Sequence, residues 1–146
     1  MNERKKQRRS RAGVTLIEML VVVVIIGLFA ALVSSNLFRQ SDKARITATR
    51  AQLNMFRTAL GQYNFDTGVF HTTEQGLQAL RVRPANVNQW DGPYLSMDVP
   101  LDPWGRPYTY KFPGEHGDEP DLTSYGADGQ SGGEGINADI VSWKNN

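Results

Sequence analysis

The chain has 146 residues, of which 40% are hydrophobic, and it contains no cysteine. This length favours one domain with accessory segments, and the lack of cysteine excludes disulfides and thiol chemistry. The net charge of +1 hides an asymmetry. Residues 1–13 carry six basic groups and one acid, or +5, while the remainder carries ten basic groups and fourteen acids, or −4. A basic N-terminal segment followed by an acidic body indicates a role of the charges in membrane topology and ion binding, not in nucleic acid binding.

An apolar run follows the basic segment. Residues 14–33 are interrupted only by Thr15, Glu18 and Gly27. As a helix, a run of this length spans about 30 Å, which is the thickness of a bilayer core. The basic cluster before it predicts that the N-terminus stays in the cytoplasm and that the body of the chain lies on the opposite side of the membrane.

From about Arg39 the pattern becomes amphipathic. Residues at helical spacing form one stripe, which consists of Ile46, Thr49, Leu53, Phe56, Leu60 and Tyr63. Polar residues lie off this stripe, namely Arg45, Arg50, Gln52, Arg57 and Gln62. No proline occurs between Val14 and Phe65. The pattern predicts one continuous helix of roughly 50 residues that ends at residues 66–68, where Gly68 follows Asp66 and Thr67.

The second half of the chain predicts short elements. Thr72 followed by Gln75 is a capping-box pattern, which opens a short helix that buries Leu77 and Leu80. The predicted elements are a helix over 73–80, a loop over 84–93, an extended piece at 94–95, a turn at 102–105, and strands over 106–112 and 122–125. In the first strand, the alternation places Tyr108, Tyr110 and Phe112 on one face.

The junction between the basic segment and the apolar run carries three linked features. The basic segment ends at Gly13, the apolar run begins at Val14, and the acid Glu18 occupies its fifth position. An acid inside a membrane helix is unfavourable by about 2.5–3.5 kcal/mol at the centre and by less near the interface, so sequences seldom carry one without a partner for its charge. This arrangement resembles the processing site of type IV pilins and pseudopilins.

The resemblance implies that a prepilin peptidase cleaves between Gly13 and Val14, and that Val14 is then N-methylated. In a bundle of such helices the carboxylate of Glu18 would neutralise the amine of a neighbouring subunit. The bundle would then be most stable when the helices have the correct axial register. Two other interpretations remain. An ordinary secretory signal would be cleaved near residues 33–35, but such signals do not usually carry an acid in the apolar run. A plain single-pass anchor explains neither Gly13 nor Glu18.

Five motifs in the second half of the chain extend the resemblance. They are TTEQGL at 72–77, DPWG at 102–105, PGEHG at 113–117, YGADG at 125–129 and NADI at 137–140. In this order they resemble the general secretion pathway protein G family, the major pseudopilins of type II secretion. The chain departs from that family at three places: Val14 stands where Phe is usual, Ser35 where Pro is usual, and Phe70-His71 where Tyr-Pro is usual.

The resemblance implies an α+β fold of the type IV pilin kind, with a long N-terminal helix packed on a small antiparallel sheet and a C-terminal metal-binding loop. Residues 1–13 would be a cleaved leader, 14–35 a transmembrane and filament-core helix, and 36–146 a periplasmic head. Subunits would wait in the bacterial inner membrane and then polymerise into a periplasmic pseudopilus that drives export of folded proteins. The implied partners are other copies of the chain, minor pseudopilins, an inner-membrane assembly platform, the prepilin peptidase and membrane lipid.

An acidic, glycine-rich segment closes the chain. Residues 115–139 carry seven acids and no Lys or Arg. Such a run repels itself unless solvent or a cation screens it, and oxygen ligands on flexible backbone suit Ca²⁺. From the residues alone, a solvated loop and a calcium site are equally good interpretations. The resemblance implies a structural calcium site, whose ligands would be Asp128, the backbone carbonyl of Tyr125 and Asp139, with Asn137 and Glu134 as additional candidates.

The sequence leaves three alternative functions open. The chain could be a type IV major pilin, a minor pseudopilin, or an anchored periplasmic binding protein or enzyme. The lack of a cysteine pair and the C-terminal motifs argue against a pilin. His71 and His116 are far apart in sequence and complete no recognisable catalytic arrangement, so we expect no enzyme activity. The three tryptophans, Trp90, Trp104 and Trp143, are expected to be packing residues.

Overall fold

The computed structural model describes residues 13–144, apart from the side chains of residues 32–39. Its elements are helix α1 (Leu16–Thr67), a 3-10 helix (Leu77–Leu80), strands β1 (Thr109–Lys111) and β2 (Asp121–Ser124), a second 3-10 helix (Gly135–Asn137) and strand β3 (Ile140–Val141). The chain divides into two compact units between Arg39 and Gln40. Of the predicted leader, only Gly13 lies within the described residues.

Helix α1 is a single helix of 52 residues, which confirms the prediction from the periodicity. It begins after Thr15, whose hydroxyl oxygen accepts a hydrogen bond from the backbone N–H of Glu18 at 3.3 Å. It ends at Gly68, which has a positive φ of 77° and donates its N–H to the carbonyl of Asn64 at 2.8 Å. A glycine in this conformation stops a helix because it satisfies a terminal carbonyl and turns the chain away.

The second half of α1 buries the predicted stripe. The buried side chains on this face are Thr49, Leu53, Phe56, Ala59, Leu60 and Tyr63, and Ile46 is partly buried. The predicted polar positions are exposed except for Gln52, whose side-chain oxygen accepts a hydrogen bond from the hydroxyl of Tyr108. One face of the helix therefore forms a wall of the hydrophobic core.

A three-stranded antiparallel sheet, in the order β1-β2-β3, forms the other wall. Tyr110 faces Leu122 across β1 and β2, and both are buried. The rings of Tyr108 and Phe56 meet edge to face with centroids 5.1 Å apart, which joins the sheet side of the core to α1. The sheet is thus held against the helix by aromatic contacts.

Two strand predictions need correction. The strand predicted over 106–112 is limited to Thr109–Lys111, because Pro107 has no N–H to donate to a ladder. The sequence predicted no strand at Ile140–Val141, which pairs with β2 and is too short to show an alternating pattern. The strand predicted over 122–125 is confirmed with a shift of one residue, as β2.

The helix predicted over 73–80 was also too long. Residues 73–76 form a turn, and only Leu77–Leu80 is helical, as a 3-10 helix, because Gly76 adopts a positive φ of 56°. Half of the capping box is present, since the N–H of Thr72 donates to the side-chain oxygen of Gln75 at 2.9 Å. Leu77 and Leu80 are buried as predicted. Residues 94–95 form no strand, although Leu95 is buried.

His71 lies inside the core as a neutral ring. Its side chain is 2% exposed, stacks on Tyr110 with centroids 4.4 Å apart, and meets Tyr63 edge to face at 4.9 Å. Neither ring nitrogen has a hydrogen-bond partner. Burial lowers the pKa of His71 to about 4, and the nearby backbone of Gly76 opposes this shift only in part. The imidazole therefore acts as an aromatic packing group at neutral pH.

We expect acid to destabilise the fold through His71. Between pH 6.5 and 4 the unfolded chain binds a proton at this ring and the folded chain does not, so the free energy of unfolding is intact above pH 6.5 and falls by roughly 3 kcal/mol as pH approaches 4. Urea unfolding of the detergent-solubilised chain across this range measures the loss. His71→Phe should lose less stability over the range than wild type, whereas His116→Gln, at the exposed histidine, should follow wild type. Equal losses in wild type and His71→Phe would contradict the prediction.

Candidate functional site

The predicted processing residues lie at the start of α1. Gly13 and Val14 precede the helix and are exposed, and Glu18 lies in its first turn. A Cβ added at Gly13 would meet no atom within 4 Å, so nothing in the described structure requires a glycine there. None of the ion pairs among the described residues includes Glu18. The carboxylate is therefore available to a positive charge from another molecule.

The first half of α1 exposes large apolar side chains at consecutive positions. Over residues 19–26 their exposed fractions range from 45% at Val22 to 68% at Val23. Because consecutive helical residues point in different directions, these side chains cover the whole circumference. Within the residues that the structure describes, no helix combines the length and the apolar character that a membrane crossing requires. An apolar surface of this kind is stabilised when other apolar groups surround it.

The C-terminal loop, residues 125–139, begins next to a buried group of polar residues around Asp102. One carboxylate oxygen of Asp102 accepts hydrogen bonds from the backbone N–H groups of Trp104 and Arg106 at 3.0 and 2.9 Å. The other accepts a hydrogen bond from the hydroxyl of Ser124 at 2.7 Å. These bonds confirm the predicted turn at 102–105 and fix it to the end of β2. The loop therefore leaves β2 at Tyr125 in a defined direction.

The two halves of the loop cross at Gly126. A Cβ added there would lie 2.9 Å from the carbonyl oxygens of both Ile136 and Ala138, and its φ is +59°. The N–H of Ala127 donates to the carbonyl of Ile136 at 3.1 Å. Only glycine allows this approach, which explains the second residue of the YGADG motif.

Tyr125 and Asp139 line the same cavity, which has a volume of about 290 Å³. One carboxylate oxygen of Asp139 accepts a hydrogen bond from the N–H of Gly132 at 2.9 Å, while the other is buried without any partner. The carbonyl of Tyr125 accepts a hydrogen bond from the N–H of Gly129 at 3.1 Å and keeps a second lone pair. A buried carboxylate oxygen without a donor is unfavourable unless water or a cation satisfies it. Carboxylate and carbonyl oxygens are the donor types that Ca²⁺ binds, and Lys111 lines the same cavity beside them.

The other predicted ligands are not brought to this cavity. Asp128 is exposed, accepts a hydrogen bond from the N–H of Gln130 at 3.1 Å, and does not line the cavity. Asn137 ends the second 3-10 helix, and its N–H donates to the carbonyl of Glu134. Among the described residues, no three His, Asp or Glu side chains are grouped as metal ligands. Of the predicted ligands, Tyr125 and Asp139 thus line this cavity, and Asp128 does not.

The same cavity contains an aromatic stack that the sequence did not predict. The rings of His116 and Trp143 stack with centroids 3.9 Å apart, and His116 Nδ1 lies 2.9 Å from an oxygen of the buried Asp121. His116 and Asp121 are five residues apart, but Trp143 is distant from both in sequence, so local spacing carries no signal of the stack. The packing roles predicted for Trp90 and Trp104 are confirmed, because both lie partly buried against the core.

Two family models match the chain. Residues 36–143 match the family described as type II secretion system (T2SS), protein G. Residues 8–34 match the prokaryotic N-terminal methylation motif, which includes Gly13, Val14 and Glu18. The two matches meet where the apolar half of α1 gives way to the amphipathic half.

Known proteins are similar over most of the chain. The type II secretion system core protein G of Pseudomonas aeruginosa is 42% identical over 142 residues, which cover 95% of this chain and 99% of that protein. That of Vibrio cholerae is 42% identical over 141 residues, covering 94% and 95%. The crystal structure of the major pseudopilin from the type 2 secretion system of enterohaemorrhagic Escherichia coli superposes with a TM-score of 0.60 at 34% identity, covering 74% of this chain and 94% of that one. The chain therefore belongs to the type II secretion system protein G family.

Proposed function

We propose that this chain is the major pseudopilin subunit of a type II secretion system. Copies polymerise into a periplasmic pseudopilus, which drives export of folded proteins across the outer membrane. The observation that carries this proposal is the family match over residues 36–143, together with the methylation motif over residues 8–34. The function is one of assembly, and the chain is a substrate of the prepilin peptidase.

The exposed apolar half of α1 supports this assembly function. The large apolar side chains of residues 16–29 are exposed, although burial of one large aliphatic side chain is favourable by about 1.5–3 kcal/mol. We infer that residues 14–35 are surrounded by inner-membrane lipid before assembly and by other copies of the same helix afterwards. The +5 charge of residues 1–13 would keep the N-terminus in the cytoplasm and the head in the periplasm.

The charge of Glu18 gives this bundle of helices its register. Cleavage after Gly13 would create a positive amine at Val14. In an apolar bundle, a lone carboxylate and a lone amine are each unfavourable, whereas the pair is stable only at one axial offset. The partners in this scheme are other copies of the chain, minor pseudopilins and an inner-membrane assembly platform.

A structural Ca²⁺ is the second part of the proposal. The partnerless oxygen of Asp139 and the carbonyl of Tyr125 would provide two ligands, and Asp128 and Asn137 are further candidates. Because Asp128 lies apart from the cavity, its participation would require the exposed turn at 128–130 to close over the ion. The bound ion would order a loop with few apolar residues and so shape a surface for subunit contacts.

Processing is expected to produce a mature chain that begins at N-methylated Val14. Gly13→Leu should block cleavage although its side chain has open space, because the small residue is needed by the peptidase and not by the fold. Gly27→Ala also has open space and should be cleaved normally. Intact mass of the membrane-extracted protein measures all three forms. A mature N-terminus at Asn36 would instead identify an ordinary signal peptide.

Glu18→Val should insert into the membrane and be cleaved, yet fail to assemble, because its neighbour's amine would lack a partner. The test uses cells from which the native copy has been deleted, and it measures cross-linked polymer and exported protein. Wild type should restore both, which tests the proposed function itself. Glu18→Asp keeps the charge and should retain part of the activity. Full polymer and export from Glu18→Val would refute the pairing role.

Ca²⁺ should raise the thermal unfolding midpoint of the detergent-solubilised chain by several degrees. Binding to the folded state alone adds about 2.7 kcal/mol at a hundredfold excess over Kd. Mg²⁺ should do less because it demands a tighter octahedral shell. Asp139→Asn and Asp128→Asn should each reduce the shift.

The matched control for this measurement is Asp118→Asn, which removes an exposed acid from the same acidic run. It should respond to Ca²⁺ as wild type does. Equal responses to Ca²⁺ and Mg²⁺, unchanged in Asp139→Asn, would mean that cations only screen the acidic loop.

A further inference from the structure

Arg106 connects the turn at 102–105 to the C-terminal loop. Its backbone N–H donates to the buried carboxylate of Asp102 at 2.9 Å, which fixes the base of the side chain. Its guanidinium nitrogen Nη1 donates to the carbonyl oxygens of Gly126 and Ala127 at 2.9 and 2.8 Å. One side chain therefore holds two successive peptide groups of the loop.

The turn at 125–129 folds closely over this guanidinium. A Cβ added at Gly129 would lie 2.5 Å from Nε of Arg106 and 3.0 Å from its Cδ and Cζ. The N–H of Gly129 donates to the carbonyl of Tyr125, which closes the turn. Arg106 thus contacts both the first half of the turn, at residues 126–127, and its end, at Gly129.

The guanidinium charge is directed at carbonyl dipoles. None of the ion pairs among the described residues includes Arg106. Arginine stays charged at every accessible pH, and hydrogen bonds from a charged donor are about twice as strong as neutral ones. The positive charge of the side chain therefore holds the carbonyl oxygens of residues 126–127 in place, as a bound cation holds its carbonyl ligands.

We propose that Arg106 is the positioning residue of the C-terminal loop, a built-in cation that shapes the 125–129 turn before Ca²⁺ binds. This inference rests on the proposed calcium site. The turn carries the carbonyl of Tyr125, and the contact of Gly126 with residues 136–138 transmits its position to the segment that ends at Asp139. A preformed turn lowers the ordering penalty of metal binding, so calcium affinity depends on Arg106.

Repulsion between the guanidinium and Ca²⁺ would have the opposite effect on affinity. The guanidinium bonds the carbonyls of Gly126 and Ala127, whereas the candidate ligands are the carbonyl of Tyr125 and the carboxylates. Supporting residues of metal sites typically change affinity by about 10–100-fold when they are removed. Arg106→Gln therefore distinguishes the two effects by sign, since loss of positioning weakens Ca²⁺ binding and loss of repulsion strengthens it.

The experiment compares detergent-solubilised full-length wild type with Arg106→Gln. Hydrogen exchange without Ca²⁺ should be faster in the variant at the amides of residues 127 and 129, and calorimetric titration with CaCl₂ should show Ca²⁺ binding at least about tenfold weaker. Gly129→Ala keeps the charge but displaces the guanidinium and strains a φ of +70°, and it should give the same two changes. The matched control is Arg83→Gln, whose guanidinium donates to the carbonyls of Val87 and Asn88 in another loop. It should leave both measurements unchanged.

Unchanged exchange at residues 127 and 129, or tighter Ca²⁺ binding by Arg106→Gln, would overturn the proposal. So would equal changes in Arg83→Gln, which would indicate a general loss of stability. If wild type binds no Ca²⁺, the calcium proposal fails and the affinity claim fails with it. The exchange rates without Ca²⁺ still decide separately whether Arg106 holds the turn.

Discussion

The packing of one face of α1 against the aromatic side of a small sheet supports the rest of the head. The three strands contain three, four and two residues, and so short a sheet is not stable by itself in water. Phe56 and Tyr63 are almost fully buried, and they join the helix to Tyr108 and, through His71, to Tyr110. The strands persist because their inward side chains share this core. This core also fixes the end of β2, where the C-terminal loop begins.

Outside the hydrophobic core, polar contacts determine the structure of the C-terminal loop. The C-terminal loop has few apolar side chains. Hydrogen bonds accepted by Asp102 and donated by Arg106, together with the crossing of backbones at Gly126, give it its shape. One oxygen of Asp139 remains buried without a partner. Under the proposed function, a bound cation would satisfy this oxygen. That cation would complete the surface that a neighbouring subunit contacts.

The two halves of α1 have different surfaces, and this difference supports the proposed function. Residues 49–63 bury one face within the head, whereas residues 16–29 expose apolar side chains that need lipid or other helices around them. Under the proposed function, the head would fold before assembly, and the apolar half would pass from membrane to filament. In this scheme Glu18 is the one charge of the apolar half, and it favours the single axial offset at which it meets an amine.

Sequence periodicity by itself determined α1 and its buried face, because a helix repeats every 3.6 residues and its contacts are local. The DPWG sequence predicted the turn at 102–105, and the ordered motifs identified the family. The tertiary structure alone decided the length of the short elements, where Gly76 and Pro107 override the local pattern, and it alone placed β3. It also decided which predicted ligands line one cavity, namely Tyr125 and Asp139 but not Asp128, and it placed Arg106 within hydrogen-bond distance of the loop. The hydrogen bonds of Arg106 join residues 20 and 21 positions apart, and their geometry depends on strand pairing and backbone crossings that no local spacing encodes.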